Sequence, residues 1–333
     1  MIRSFFALLM TAAVVAAEAV ASDGDVREIA VEARQISQFK DFSEETRFGG
    51  FEFLGGLEIS SPSGVLGGIS ALRMTGDGPQ FIGAMDSGLL FSGRFMRDAD
   101  GRLSGLSDFV TAPVLDADGR AIREGWKTDA EGLALNGEYA YVSFERQHRI
   151  ERYRLSDVPG GAPVERIRHL IPDWEFRRNR GMEMLAVAPP DAPLAGALVV
   201  VSERSLDQKG DLFAAIVSGP ETGVFFVKRD PPYDVTDGDF LPDGDLLLLE
   251  RRFSLAGGIG MRIRRIAGAD IAPGRTVDGE VLLEADFGYA IDNMESLDIF
   301  TTEDGDTRIV LASDDNFSFL QRNVILEFRL VEQ

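Results

Sequence analysis

The sequence predicts an all-β protein built as a β-propeller, and three observations carry that prediction. Beyond the first 45 residues, short runs of β-branched, aromatic and leucine residues alternate with Gly, Pro, Asp and Asn, while helix signals are scarce. One unit recurs five times: a small or acidic residue leads into a short apolar strand, a turn follows, and a second, more apolar strand ends on a charge. The leading residues Ser70, Glu131, Glu183, Asp239 and Glu295 are separated by 61, 52, 56 and 56 residues. That period holds one four-stranded antiparallel sheet, and regular repetition of such sheets marks a propeller, whereas a sandwich lacks the long period.

The chain begins with MIRS and then FFALLMTAAVVAA, an apolar stretch too short to span a membrane comfortably. Ala19-Val20-Ala21 offers a small-x-small site before Ser22, so residues 1–21 read as a cleavable signal peptide. The expectation is a periplasmic or secreted protein, and with no cysteine it carries neither disulfide nor thiolate metal site. Residues 22–45 are polar and weakly patterned, a tail or an edge element. The propeller domain is expected over 46–333.

The five copies follow in order. GGISALRM turns at Asp77-Gly78-Pro79 into FIGAMDSG; DAEGLAL turns at Asn136-Gly137 into YAYVSFER; GMEMLAV turns at Pro189-Pro190-Asp191 into ALVVVSER. DGDFL turns at Asp243-Gly244 into LLLLERR, and NMESLDIF turns at Asp304-Gly305 into RIVLASDDN. Asn-Gly and Asp-Gly are the preferred two-residue hairpin turns. Further strands are expected at Arg149–Leu155, Gly223–Arg229 and Met261–Ile266. FGGFEFLGGLEI either closes the last blade beside NVILEFRL or belongs to a degenerate sixth blade, and both readings stay open.

A tight hairpin places the start of strand one and the end of strand two at the same end of a blade, and first strands line the channel. Glu131, Glu183, Asp239 and Glu295 are therefore expected around one channel mouth. Asp86, Glu145, Glu203, Glu250 and Asp314 are expected on the same rim, with Arg146, Arg204 and Arg251 directly following three of them. Carboxylate oxygens suit Ca²⁺ or Mg²⁺ rather than zinc, with Glu131, Glu183, Glu295 and Asp314 as ligands, and the arginines suit an anion. A role repeated in every blade is also what an architectural ring would show. Residues that break the repeat are the sharper candidates: Arg252, Trp126, and the PDWEFRRNRG loop with Trp174, Arg177, Arg178 and Arg180.

Composition narrows the classes. Thirty-four basic against 55 acidic residues give a net charge of −21, which repels nucleic acid and anionic lipid. There is no GxSxG elbow, HExxH or P-loop, and only His148 and His169 occur. His148 near the rim is a candidate base or merely solvated. The two DADG segments at Asp98–Gly101 and Asp116–Gly119 read as turns with a left-handed glycine rather than calcium loops.

FGGFEFLGGLEI, GGISAL, DAEGLAL, NRGMEML, NMESLDIF and LASDDNFSFLQRN together resemble the bacterial "esterase-like activity of phytase" family, over nearly the whole chain from Phe48. The resemblance implies an exported propeller-like domain and hydrolysis of esters or phosphoesters, but it brings no catalytic set to transfer. The Arg-His-Gly signature of histidine acid phosphatases is absent, since Arg168-His169 is followed by Leu170. The lysine-rich substrate site of calcium-dependent propeller phytases has no counterpart among Lys40, Lys127, Lys209 and Lys228. The resulting expectation is a monomeric hydrolase of a small anionic ester. Glu131, Glu183, Asp239 and Glu295 would do the chemistry, Arg146, Arg180, Arg204, Arg251 and Arg252 would bind substrate, and Ca²⁺ would assist. The alternative is a non-catalytic periplasmic propeller that binds a ligand or a partner protein.

Overall fold

The structure is a computed structural model that describes residues 25–331, apart from 77, 177–179 and 255–256. The signal-peptide expectation for residues 1–21, Asp77 of the first turn, and Arg177 and Arg178 lie outside the described residues. Among the described residues no helix is long and apolar enough to cross a membrane, and the helical turns are short 3-10 pieces.

Five sheets form five blades. The inner strands are Ile69–Met74, Ala130–Asn136, Met182–Val187, Asp234–Phe240 and Asn293–Thr301, and each packs on the inner strands of the blades before and after it. Second strands follow at Gln80–Met85, Tyr139–Phe144, Leu198–Leu206, Leu246–Ser254 and Thr307–Asp314. The expected third and fourth strands are present at Arg149–Arg154, Gly258–Ile266 and Gly223–Val227. The ambiguity over FGGFEFLGGLEI is resolved. Phe51–Ser60 pairs antiparallel with Asn323–Leu330 and completes blade 5, so the ring closes by joining an early strand to the last one, and there are five blades. Glu32–Ile36 extends blade 5 at its edge and Arg27–Glu28 extends blade 1.

The core is divided among the blade interfaces because both faces of every blade are buried. Period-two alternation sends successive side chains to opposite faces. In the run Leu246–Leu249, Leu246 and Leu248 pack against Val199 and Val201 of blade 3. Leu247 and Leu249 pack against Leu297 and Leu311 of blade 5. A continuous leucine run is what a strand between two apolar neighbours requires, at roughly 2 kcal/mol for each leucine removed from water.

Blade 4 also corrects the register. Val235 pairs with Glu250 and Asp234 with Arg251, whereas the residues at Arg251's position elsewhere are Asp86, Glu145, Glu203 and Asp314. Their backbones meet Gly68, Asp129, Gly181 and Asn293. Glu250 is not a rim residue. It lies buried on the opposite face of its strand, where Arg262 and Arg264 each donate to it at 2.6 Å. The DADG segments are turns as expected: Asp98 accepts the amides of Asp100 and Arg102, Asp116 accepts those of Asp118 and Arg120, and Gly101 and Gly119 are left-handed.

Candidate functional site

A β-bulge falls at the same place near the start of each inner strand. It occupies Ser70, Glu131, Glu183, Thr236 and Glu295, where the pairing skips a residue. A bulge turns one extra side chain away from the ladder, and here that side chain faces its counterparts across the channel. The four expected acidic positions thus reduce to three, and blade 4 supplies Thr236. Its hydroxyl donates to the Met294 carbonyl of blade 5 at 3.0 Å. At the blade 2 bulge, Gly132 is required by close approach: a β-carbon there would stand 2.6 Å from the Glu183 carbonyl oxygen.

Asp239 does not join this group. It pairs with Leu247 near the far end of its strand. There it belongs with Arg73, Asp237 and Asp298 at the opposite end of the channel, beside a cavity of about 450 Å³. Arg73 donates to both oxygens of Asp237 at 2.8 Å and stands 3.8 Å from Asp298. The DGDFL motif mimics the others in composition, but its register is three residues later; Thr236 has no charge by which the sequence could reveal it.

The mouth itself collects Glu131, Glu183 and Glu295 from the bulges and Asp86, Glu145, Glu203 and Asp314 from the ends of second strands. Asp129 joins them from the strand-one approach in blade 2. Asp129, Glu131 and Glu145 bring carboxylate oxygens within 4.8 Å of one another. Of these, sequence reasoning placed Glu145 only on the rim and missed Asp129, whose position two residues before Glu131 was the available signal.

Crowding and burial govern the electrostatics. Burial, followed by Glu183, Asp129 and Glu145, pushes Glu131 well above the usual carboxyl range. Burial, followed by Glu203, Glu145 and Glu295, does the same to Glu183. Burial first, with neighbouring carboxylates adding to it, raises Asp86 to about 6, Glu145 to about 7 and Asp314 to about 7. These shifts follow from desolvation and like charge.

Arginines serve the other half of the mouth. Arg251 replaces the rim carboxylate of blade 4 and lies 3.1 Å from Glu295 of blade 5. Arg204 bridges from blade 3 to Asp234 of blade 4, and Arg180 is 3.2 Å from Glu203. Arg146 stays within blade 2, 2.7 Å from Asp129. Arg252 points to the other face of its strand from Arg251, donating to the Tyr233 hydroxyl at 3.0 Å and the Gly257 carbonyl at 3.2 Å. His148 stacks on Phe176 at 4.2 Å, and burial lowers its pKa.

Two features fit a hard cation. The donor set is carboxylate oxygen throughout. Glu183, 9% exposed, has no hydrogen-bond or ion-pair partner among the described residues, and neither has Glu131.

A family model described as phytase-like, esterase-like activity of phytase, matches residues 65–317. No curated protein matches the chain. Similar solved structures include an endo-arabinase from Bacteroides thetaiotaomicron, 11% identical over 82% of this chain and 96% of that one, with a TM-score of 0.49. Another is a protein of unknown function from Bacteroides caccae, 10% identical over 70% and 67%, with a TM-score of 0.35.

Proposed function

The chain belongs to the phytase-like family, and on that premise we propose that it is an exported hydrolase of phosphate or carboxylate esters, working with a divalent cation at the acidic mouth. The observation that carries the reading is the convergence of Asp129, Glu131 and Glu145 within 4.8 Å, opposite a blade that puts Arg251 where the others put a carboxylate. Asp129, Glu131 and Glu145 would hold Ca²⁺ or Mg²⁺, with Glu295 and Asp314 available to complete the shell. A cation held there would supply Lewis-acid polarisation of the ester oxygen and would ease deprotonation of the attacking water.

The chain's own residues supply the rest. Arg251 and Arg180 orient the anionic part of the ester and stabilise charge that develops on it. Glu183, whose pKa burial and then Glu203, Glu145 and Glu295 push upward, would act as the acid that gives a proton to the departing alcohol as the ester bond breaks. A carboxylate of the ring takes the proton lost by water.

The test uses the purified mature protein with aryl phosphates, phytate and short aryl esters, in Ca²⁺ and in chelator. Turnover that disappears in chelator and in Glu131→Gln supports the proposal. No turnover on any of these, with thermal stabilisation by an unrelated ligand, would instead favour a non-catalytic binding propeller.

A further inference from the structure

Every exposed phenylalanine and tryptophan among the described residues lies on the mouth side of the propeller. Trp126 and Trp174 stand in the loops that enter blades 2 and 3, Phe253 beyond Arg251, Phe287 before blade 5, and Phe317 and Phe319 in the loop after Asp314. Phe42 follows Asp41, whose amide donates to Gly288 of the same region. The turns at the other face, 136–138, 188–197, 241–245 and 302–306, present none.

Exposure is high, 82% for Trp174 and 95% for Phe319, and while Val26, Met96, Val164 and Val281 are exposed elsewhere, the exposed aromatic rings gather on this one face, as at a binding surface. The placement is also held against local strain. Asn316 and Phe317 both adopt left-handed backbone, φ 47° and 50°, which non-glycine residues rarely do. The Phe317 ring lies over Gly67 and Gly68, next to the Asp86 carboxylate. Trp126 is three residues before Asp129.

Charge decides what this surface can take. Four described arginines at the mouth are already in ion pairs, Arg146 with Asp129, Arg180 with Glu203, Arg204 with Asp234 and Arg251 with Glu295, and Arg252 is held by Tyr233 and Gly257. The nearby Lys127 is engaged by Glu124 at 2.8 Å and lies over the Trp126 ring. Five further carboxylates, Asp86, Glu131, Glu145, Glu183 and Asp314, have no arginine or lysine partner in an ion pair among the described residues. Among the described residues, a polyanion would meet this excess of like charge with few unpaired cations to offset it. An ester of low charge meets one polarising centre and a border of rings that can cover its apolar part.

We propose that the mouth takes esters whose non-reacting part is aromatic or otherwise apolar and which carry at most one negative charge, rather than inositol polyphosphates. This rests on the hydrolase reading above, so the experiment reads binding apart from turnover. The Ca²⁺-saturated protein is titrated with 4-phenylbutyrate, acetate and inositol hexakisphosphate at fixed ionic strength. Calorimetry gives the affinities, and quenching of the two tryptophans, both on this face, reports where binding occurs. The expected order is 4-phenylbutyrate at least tenfold tighter than acetate and tighter than inositol hexakisphosphate. Phe317→Ala and Phe319→Ala together should cost at least fivefold for 4-phenylbutyrate and nothing for acetate, with the thermal midpoint kept. Equal affinity for acetate and 4-phenylbutyrate, tighter inositol hexakisphosphate, or indifference to the two substitutions overturns the proposal. Binding of 4-phenylbutyrate in this pattern without hydrolysis of any ester would overturn the hydrolase reading and leave the apolar subsite standing.

Discussion

The two ends of the central channel carry similar residues in different states of satisfaction. At the far end Arg73 holds Asp237 and Asp298, and the carboxylates there also accept backbone amides of the neighbouring blade. Asp237 accepts from Leu297 at 2.8 Å, Asp239 from Ile299 at 3.0 Å and Asp298 from Met74 at 2.8 Å. Each is a strap between blades 4 and 5 or 5 and 1. At the mouth Glu131 and Glu183 accept nothing from the described residues. A buried polar group with its partners in place reads as architecture, whereas the oxygens of Glu131 and Glu183 are not among the buried atoms left without a partner, so they reach solvent and are free to take a ligand. The same residue types therefore serve the ring at one end and a ligand at the other.

The comparison breaks most visibly at Arg73. Arg73→Met would leave Asp237 buried without its cation, and losing one partner of a buried pair costs about 3–5 kcal/mol. Urea unfolding should show that loss, while the folded fraction keeps its affinity for mouth ligands. A change under about 1 kcal/mol would mean that the far end is not a strap. At the mouth the pattern should reverse. Glu131→Gln and Glu183→Gln should lower ester turnover by about 10²-fold or more, while the thermal midpoint stays constant or rises because a carboxyl that burial and like neighbours disfavour in its ionised form is replaced by a neutral amide.

The next effect sharpens the contrast through pH. Asp86, Glu145 and Asp314 have folded pKa values raised to about 6, about 7 and about 7, chiefly by burial. The folded state therefore binds more protons than the unfolded chain between pH 4 and 7. Stability is fully present below that window and falls as pH rises through it. In chelator the thermal midpoint should drop by several degrees from pH 5.5 to 8. Calcium should restore more of it at pH 8 than at pH 5.5, because only the ionised ring binds it well. An equal calcium shift at both pH values would place the ion elsewhere.

What the sequence revealed follows from which signals survive a shift in register. Five blades were legible because their period and hairpin turns do not depend on single-residue alignment. The acidic mouth was legible in blades 2, 3 and 5, where Glu131, Glu183 and Glu295 share the bulge. Blade 4 misled because Asp239 and Glu250 have the expected chemistry at the wrong positions, three residues late and one residue early. The bulge that fixes the true register leaves no compositional trace. Asp129 was missed because its carboxylate belongs to the approach rather than to the repeated strand. The ring closure by Phe51–Ser60 could be named but not chosen, since its pairing with Asn323–Leu330 at the other end of the domain is set by tertiary packing.

The smallest expected effect separates two adjacent arginines. Arg252 breaks the sequence repeat and looked the more functional of the pair, yet its guanidinium is spent on Tyr233 and the Gly257 turn. Its alanine variant should lose about 1 kcal/mol, the worth of a hydrogen bond and a cation–π contact at a partly exposed site, and keep ester kcat/KM within about twofold. Arg251→Ala removes the cation that restrains Glu295 and Glu203, so it should weaken binding of singly charged ligands about tenfold and raise the apparent pKa of turnover. If Arg252→Ala proves the more damaging to ligand affinity, the face assignment of that strand end is wrong, and the polarity of the mouth argued from blade 4 fails with it.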